Sequence, residues 1–196
     1  MTKAIREDVN YDKHPNETPA AYSKRIKRAE ESRQSKINIG MNRRSQLLYS
    51  MPSKIPIINK ILETLPGKTI LFGNSLDSLL KITPNVISAR NSKKKNNSIR
   101  DEFEKVDKGV IGSFKKLEQG ANLPNLDNVV IMSYYSKSKS LIQRLGRLRD
   151  NGKIGNVFII VTKETQEEVW FTKMFEDINN LRLFRCDNIM DCLNKI

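Results

Sequence analysis

The residues with the clearest chemical potential are Gln143-Arg144-Leu145-Gly146-Arg147-Leu148-Arg149, which place three arginines within six positions. Arginine suits phosphate because its planar fork donates paired hydrogen bonds and keeps its charge at every physiological pH. Gly146 lies where a side chain would block close approach of a ligand. The run is preceded by the apolar stretch Asn128-Val129-Val130-Ile131-Met132 and followed by Asn156-Val157-Phe158-Ile159-Ile160-Val161. Both read as buried strands. Arginines carried between two buried strands point to a phosphate-handling site. The other reading is a solvated face on an amphipathic helix, and the run alone does not decide between them.

Other chemistries find no support. His14 is the one histidine, in a polar stretch beside Pro15. No nucleophile–histidine pair or histidine-containing metal cluster can therefore be assembled, and no metal ligands are assigned. Gly67-Lys68-Thr69 imitates the tail of a phosphate-binding loop. The complete pattern needs a glycine five positions before Gly67, where Leu62 stands. The order is also reversed, since a helix here leads into a strand, whereas a phosphate loop leaves a strand and opens a helix. No acidic pair follows an apolar strand as a magnesium site would require, and Asp101-Glu102 falls within a helical pattern that reads as solvated. A complete nucleotide-hydrolysing engine is not expected in this chain.

The elements that must position the arginines follow from the rest of the pattern. With 196 residues, 38% hydrophobic and 29% charged, the chain has room for one α/β domain and an appendage. A net charge of +13, from 35 basic and 22 acidic side chains, calls for a polyanionic partner, with nucleic acid first and an acidic protein second. No apolar run approaches the roughly 18 residues that span a bilayer. The N-terminus has no apolar signal core. A cytoplasmic protein without a membrane partner is expected, with Cys186 and Cys192 as reduced thiols.

Residues 1–16 are polar and aperiodic and read as a flexible lead-in. Residues 17–52 read as a basic helical arm or linker. Thr18 caps a helix that Pro19 opens, and Arg43 to Tyr49 reads as a separate short helix. Residues 53–196 form the folded body. Ile57, Ile58, Ile61, Leu62 and Leu65 make one helical face that Pro66-Gly67 stops. Strands are expected at 69–72, 86–87, 109–113, 128–133 and 156–161, with an edge strand at 181–184. Lys93, Lys94 and Lys95 belong to a basic loop over 92–98, ahead of a helix holding Ile99, Phe103 and Val106. Short helices are expected after Ser75, within 114–123 and after Asp187, with a longer one after Thr165. Alternation of strand and helix predicts an α/β fold with an open, mainly parallel sheet covered on both faces. Tyr134-Tyr135, at a strand end, could stack on a base or pack beside the next helix.

Three stretches in order resemble one family, the second (C-terminal) RecA-like domain of superfamily-two DNA and RNA helicases. Ile70-Leu71-Phe72-Gly73-Asn74-Ser75 resembles its fourth motif and 113–124, from Ser113 to Pro124, its fifth. Gln143-Arg144-Leu145-Gly146-Arg147 has the Gln-Arg-x-Gly-Arg form of its sixth. The resemblance covers roughly residues 54–165 and is closest to phage-type and repair-type members. It implies a RecA-like fold and an ATP-dependent motor half, with ATP and magnesium held mainly by a first RecA-like domain supplied separately. DNA or RNA is the implied track.

By the same resemblance, Arg147 is an arginine finger toward the γ-phosphate, and Gln143 and Arg144 help close the cleft. Gly120, Asn122, Gly146 and Arg149 lie toward the nucleotide, while Ser113, Asn74 and Ser75 lie toward the nucleic acid; independently of the resemblance, the basic loop of Lys93, Lys94 and Lys95 is a further nucleic-acid candidate. One departure stands out. The family's further arginine, three positions after Arg147, is Asp150 here, and Arg149 arrives one residue early, a rotation of roughly 100° on a helix. Either Arg149 swings in or the second finger is absent. The alternative to a motor half is a non-catalytic module, derived from a helicase domain, that binds nucleic acid or regulates a helicase.

Overall fold

The computed structural model describes residues 11–12, 14–114, 126–133, 155–176, 186 and 191. The chain divides into two compact units, Met1–Leu47 and Leu48–Ile196.

The first unit is built on helix α1 (Pro19–Tyr49). Thr18 starts it, its hydroxyl accepting the backbone N–H of Ala21 at 3.2 Å. A short N-terminal hook folds back on the first turns. The Tyr22 hydroxyl donates to the Tyr11 carbonyl, and Arg25 grips both carboxylate oxygens of Glu17 at 3.0 and 3.1 Å. That guanidinium holds the Glu17 carboxyl below the usual carboxylate range. The separate helix expected at 43–49 is instead the last two turns of α1. Gly40 is the weakest helix former near the expected break, and one glycine costs about 1 kcal/mol, too little to end a helix that no proline interrupts.

Among its described residues the second unit has a parallel sheet of five strands in the order β2-β3-β1-β4-β5. The strands are β1 (Lys68–Gly73), β2 (Val86–Ser88), β3 (Gly109–Phe114), β4 (Asn128–Ile131) and β5 (Asn156–Ile159). Among the described residues the helices of this unit are α2 (Lys54–Thr64), α3 (Leu76–Leu80), α4 (Lys93–Lys105) and α5 (Gln166–Glu176). Alternation along the strands divides their side chains between two cores. Ile70, Phe72, Ile87, Ile111, Val129 and Ile131 face Ile99 and Phe103 of α4, with Trp170 and Phe171 of α5 packed beside them. Leu71, Val86, Val130 and Met132 face Ile58 and Ile61 of α2, Leu65, and Leu79 of α3. Each fully buried side chain of this kind contributes about 1.5–3 kcal/mol by leaving water. Gly73 lets α3 close on β1, because a Cβ there would meet the Leu79 side chain at 2.9 Å.

Three expectations change, the first being that Val106 lies past the end of α4 in extended backbone and is exposed. Ile57 is 41% exposed, because the buried stripe of α2 runs through Lys54, Ile58 and Ile61. The lysine triplet is helical: the Ser92 hydroxyl accepts the Lys95 N–H and starts α4 there. Polar composition suggested a loop, but a cap plus the buried Asn96, Ile99 and Phe103 stripe is sufficient for a helix.

The Gly67-Lys68-Thr69 imitation resolves as a turn into β1. Gly67 has a φ of 74°, a conformation that favours glycine. The Lys68 ammonium donates to the Glu104 carbonyl at 3.0 Å, satisfying a helix-end oxygen of α4. The edge strand expected at 181–184, the helices within 114–123 and after Asp187, the tyrosine pair and Cys192 lie outside the described residues. Cys186 is a free thiol. Among the described residues no helix is long and apolar enough to cross a membrane.

Candidate nucleic-acid interface at the strand ends

In a parallel sheet every strand finishes on the same side, and ligands of open α/β sheets bind beyond those carboxyl ends. Here the edge is formed by Gly73, Ser88, Phe114, Ile131 and Ile159, the last residues of the five strands. Helices α3 and α4 start from it.

Asn74 and Ser75 leave β1 at this edge, and both work within the fold. The Asn74 backbone N–H donates to the Ser133 hydroxyl at 2.9 Å, and its side-chain amide approaches the Ser133 carbonyl at 3.5 Å. Asn74 is buried, so this joins the ends of β1 and β4. Ser75 caps α3, its hydroxyl accepting from the Ser78 N–H and the Ser78 hydroxyl.

A second tie was missed by the sequence reading. Lys54 and Glu167 are buried at 2% and 0% exposure, and the ammonium donates to both carboxylate oxygens at 2.7 and 2.6 Å. It also donates to the Met132 carbonyl at the end of β4, while the Thr162 N–H beyond β5 donates to Glu167. Burial pushes the Lys54 ammonium below the usual lysine range, opposed by the charge of Glu167 and its hydrogen bond. The signal was present as a lysine on the apolar stripe of α2 and a glutamate aligned with Trp170 and Phe171 on α5. Opposite charges on two buried stripes need each other.

Ser113 differs from its neighbours. It lies in β3 between Phe72 of β1 and Ile87 of β2, is 2% exposed, and its hydroxyl has no hydrogen-bond partner. Buried polar groups are satisfied in the great majority of cases, so one without a partner at a ligand-binding edge suggests a ligand.

Lys93, Lys94 and Lys95 are exposed on the first turn of α4, at the same edge. That turn contains no acidic residue, although a helix N-terminus favours negative charge. Three lysines there repel the helix dipole and favour an anion from outside. Their base is rigid, since the Asn96 amide pairs with both the N–H and the carbonyl of Ser88, and Asn91 donates to Asn96 and to the Val86 carbonyl. Arg90, which the sequence reading also missed, sits with its guanidinium 5.9 Å from the Phe114 ring centre. A shallow groove along α4 sets Lys93, Lys94 and Lys105 against Asp101 and Glu102, so its charge is mixed.

The structure therefore brings Ser113, Asn74, Ser75 and the three lysines to one edge of the sheet. Gly120, Asn122, Gln143, Arg144, Gly146, Arg147 and Arg149 lie outside the described residues, as does Asp150.

The model of the helicase conserved C-terminal domain matches residues 53–152. The chain belongs to this family. Among solved structures, this helicase C-terminal domain is similar to the C-terminal domain of the DEAD-box protein Dbp5, with 15% identity and a TM-score of 0.58 over 67% of this chain and 83% of that one. It is also similar to the Escherichia coli DEAD-box protein SrmB bound to regulator of ribonuclease activity A, at 14% identity and TM-score 0.59, covering 71% and 85%. Against Saccharomyces cerevisiae Dbp5 bound to RNA and ADP BeF3 the values are 13% and 0.63, covering 72% of this chain and 41% of that one. The chain thus spans less than half the length of that RNA-bound relative. Identities this low establish the RecA-like fold. No curated protein matches the chain.

Proposed function

We propose that this domain is the second motor half of an ATP-dependent nucleic-acid helicase or translocase. The observation that carries the reading is the buried Ser113 hydroxyl without a partner, at the carboxyl edge of a helicase-family sheet and on the edge from which the lysine turn of α4 starts. In this reading Ser113 donates to a backbone phosphate, and Lys93 to Lys95 and Arg90 neutralise its neighbours. Asn74 and Ser75 shape the edge through the hydrogen bonds they make within it.

ATP lies between this domain and a first RecA-like domain, and its hydrolysis supplies the free energy for movement along the strand. Among the described residues no group of three His, Cys, Asp or Glu side chains could hold a metal ion. The magnesium ligands in this reading belong to the first domain. This chain contributes arginines: Arg147 stabilises charge developing on the transferred phosphoryl group, with Gln143 and Arg144 closing the cleft and Gly146 allowing close approach. Gly120, Asn122 and Arg149 stand toward the nucleotide.

The test is reconstitution with a first RecA-like domain, measuring nucleic-acid-stimulated ATP hydrolysis. Arg147→Ala is expected to lower turnover by roughly 10³-fold or more, the scale of an arginine finger. An unchanged rate would show that Arg147 is not the finger. Asp150, standing where the family has a further arginine, favours a second reading as a non-catalytic binding or regulatory module. That reading gains if nucleic acid is bound with no ATP turnover in any reconstituted pair.

A further inference from the structure

Helix α1 is 31 residues long, yet Leu48 is its one buried residue. It carries eight Lys and Arg against Glu30 and Glu31. The distribution of these charges is uneven. At about 100° per residue, Lys24, Arg25, Arg28, Lys36 and Arg43 fall within an arc of about 120°. The rest of that arc is Ala21, Ser32, Ser35, Ile39, Asn42 and Gln46, with no acidic residue. Ile26, Ile37 and Leu48 form a separate stripe roughly 80° or more beyond the edge of the arc. Apart from the half-buried Arg25, every residue of the arc is exposed.

Arg25 is the arginine that the N-terminal hook fixes, through Glu17 and the Asp12 carbonyl at 2.6 Å. Its neighbours along the arc lie at one-sided spacing on a rigid rod. Lys24 and Arg43 are separated by about 29 Å at 1.5 Å per residue, most of one turn of duplex DNA. Small polar side chains between long cations, with one large apolar residue, cannot build the desolvated centre of a protein–protein interface. They do match a regular array of phosphates, to which Lys, Arg, Ser, Asn and Gln all donate.

We propose that this face of α1 is a second nucleic-acid contact, gripping the backbone of a duplex independently of the strand-end site. The contact is to phosphate, so it adds affinity without reading sequence.

The test uses the full chain and a fluorescent 24-base-pair duplex, with affinity measured by anisotropy across a salt series. The triple variant Lys24→Gln, Arg28→Gln and Arg43→Gln keeps residues of similar helix propensity, so α1 should persist, as circular dichroism can verify. It is expected to bind about tenfold or more weakly, and to lower the slope of log K against log salt by about 2–3, as three lost phosphate contacts require. The exchange Lys24→Arg, Arg28→Lys and Arg43→Lys should retain both. A triple Lys93→Gln, Lys94→Gln and Lys95→Gln variant measured in parallel tests the strand-end site separately. Unchanged affinity and slope in the α1 variant, with loss confined to the α4 variant, would overturn the proposal and leave the strand-end reading standing. So would an α1 variant that binds duplex normally and loses only its association with a first RecA-like domain. Loss in the α1 variant alone would support it and count against the lysine turn.

Discussion

At the sheet's carboxyl edge the end of β3 handles a buried polar group differently from the ends of β1, β4 and β5. At the β1, β4 and β5 ends, buried groups bind one another: Asn74 to Ser133, Lys54 to Glu167 and Met132, and Thr162 to Glu167. At the β3 end, beside β2, a buried serine hydroxyl has no partner, and three exposed lysines crowd the start of α4 without an acid in that turn. Asn74 and Ser113 are both buried, so the difference between them lies in their partners. The ends of β1, β4 and β5, and that of β2 through Ser88 and Asn96, are completed by the fold, whereas the Ser113 hydroxyl of β3 is not. A ligand-binding edge can thus be located by where the protein leaves its own hydrogen bonding unfinished.

The sharpest way to break this comparison is Lys54→Met. It leaves the buried Glu167 carboxylate without its countercharge, and a loss of about 3–5 kcal/mol is expected in urea unfolding. Adding Glu167→Leu should recover most of that loss, since an apolar pair of similar volume replaces a buried ion pair at little cost. If Lys54→Met unfolds like the parent, the tie contributes nothing to the finished ends.

A smaller effect is expected from Ser133→Ala, which removes the acceptor of a buried Asn74 N–H. Destabilisation of about 1–3 kcal/mol should appear as a lower denaturation midpoint, with nucleic-acid affinity unchanged once the protein is folded. The smallest stability effect belongs to Ser113→Ala. Removing a buried hydroxyl that nothing satisfies should leave stability within about 0.5 kcal/mol or raise it, while nucleic-acid affinity falls by roughly two- to tenfold. A loss of stability as large as that of Ser133→Ala would place Ser113 with the finished ends and erase the contrast.

Much of the sheet was legible because buried parallel strands are nearly continuous apolar runs. Thr69-Ile70-Leu71-Phe72 and Val129-Val130-Ile131 can be read from composition alone, and the Ser75 cap from its position before Leu76. What escaped depends on partners distant in sequence or on capping. Lys54 and Glu167 each look like ordinary helix-surface charges until their stripes are aligned, and 113 residues separate them. The lysine triplet looked like a loop because charge density was weighed above the Ser92 cap. Ser113 was chosen from its family resemblance, and the reason it stands out physically, an unanswered hydroxyl, exists only once β1 and β2 flank it. The arginine run that first drew attention to phosphate lies outside the described residues, so its reading still rests on sequence and family.

The Lys54–Glu167 pair also bears on how this chain is made. Ribosomes add about 5–20 residues per second, so Glu167, 113 residues on, follows Lys54 by roughly 6–23 s. During that interval α2 emerges with a lysine on the face it must bury, and closing that face early would strand an uncompensated charge. The nascent α2 is therefore expected to stay wet on that face until α5 arrives. Docking of α2 would then await α5, made more than a hundred residues later, a long-range contact of the kind that slows folding.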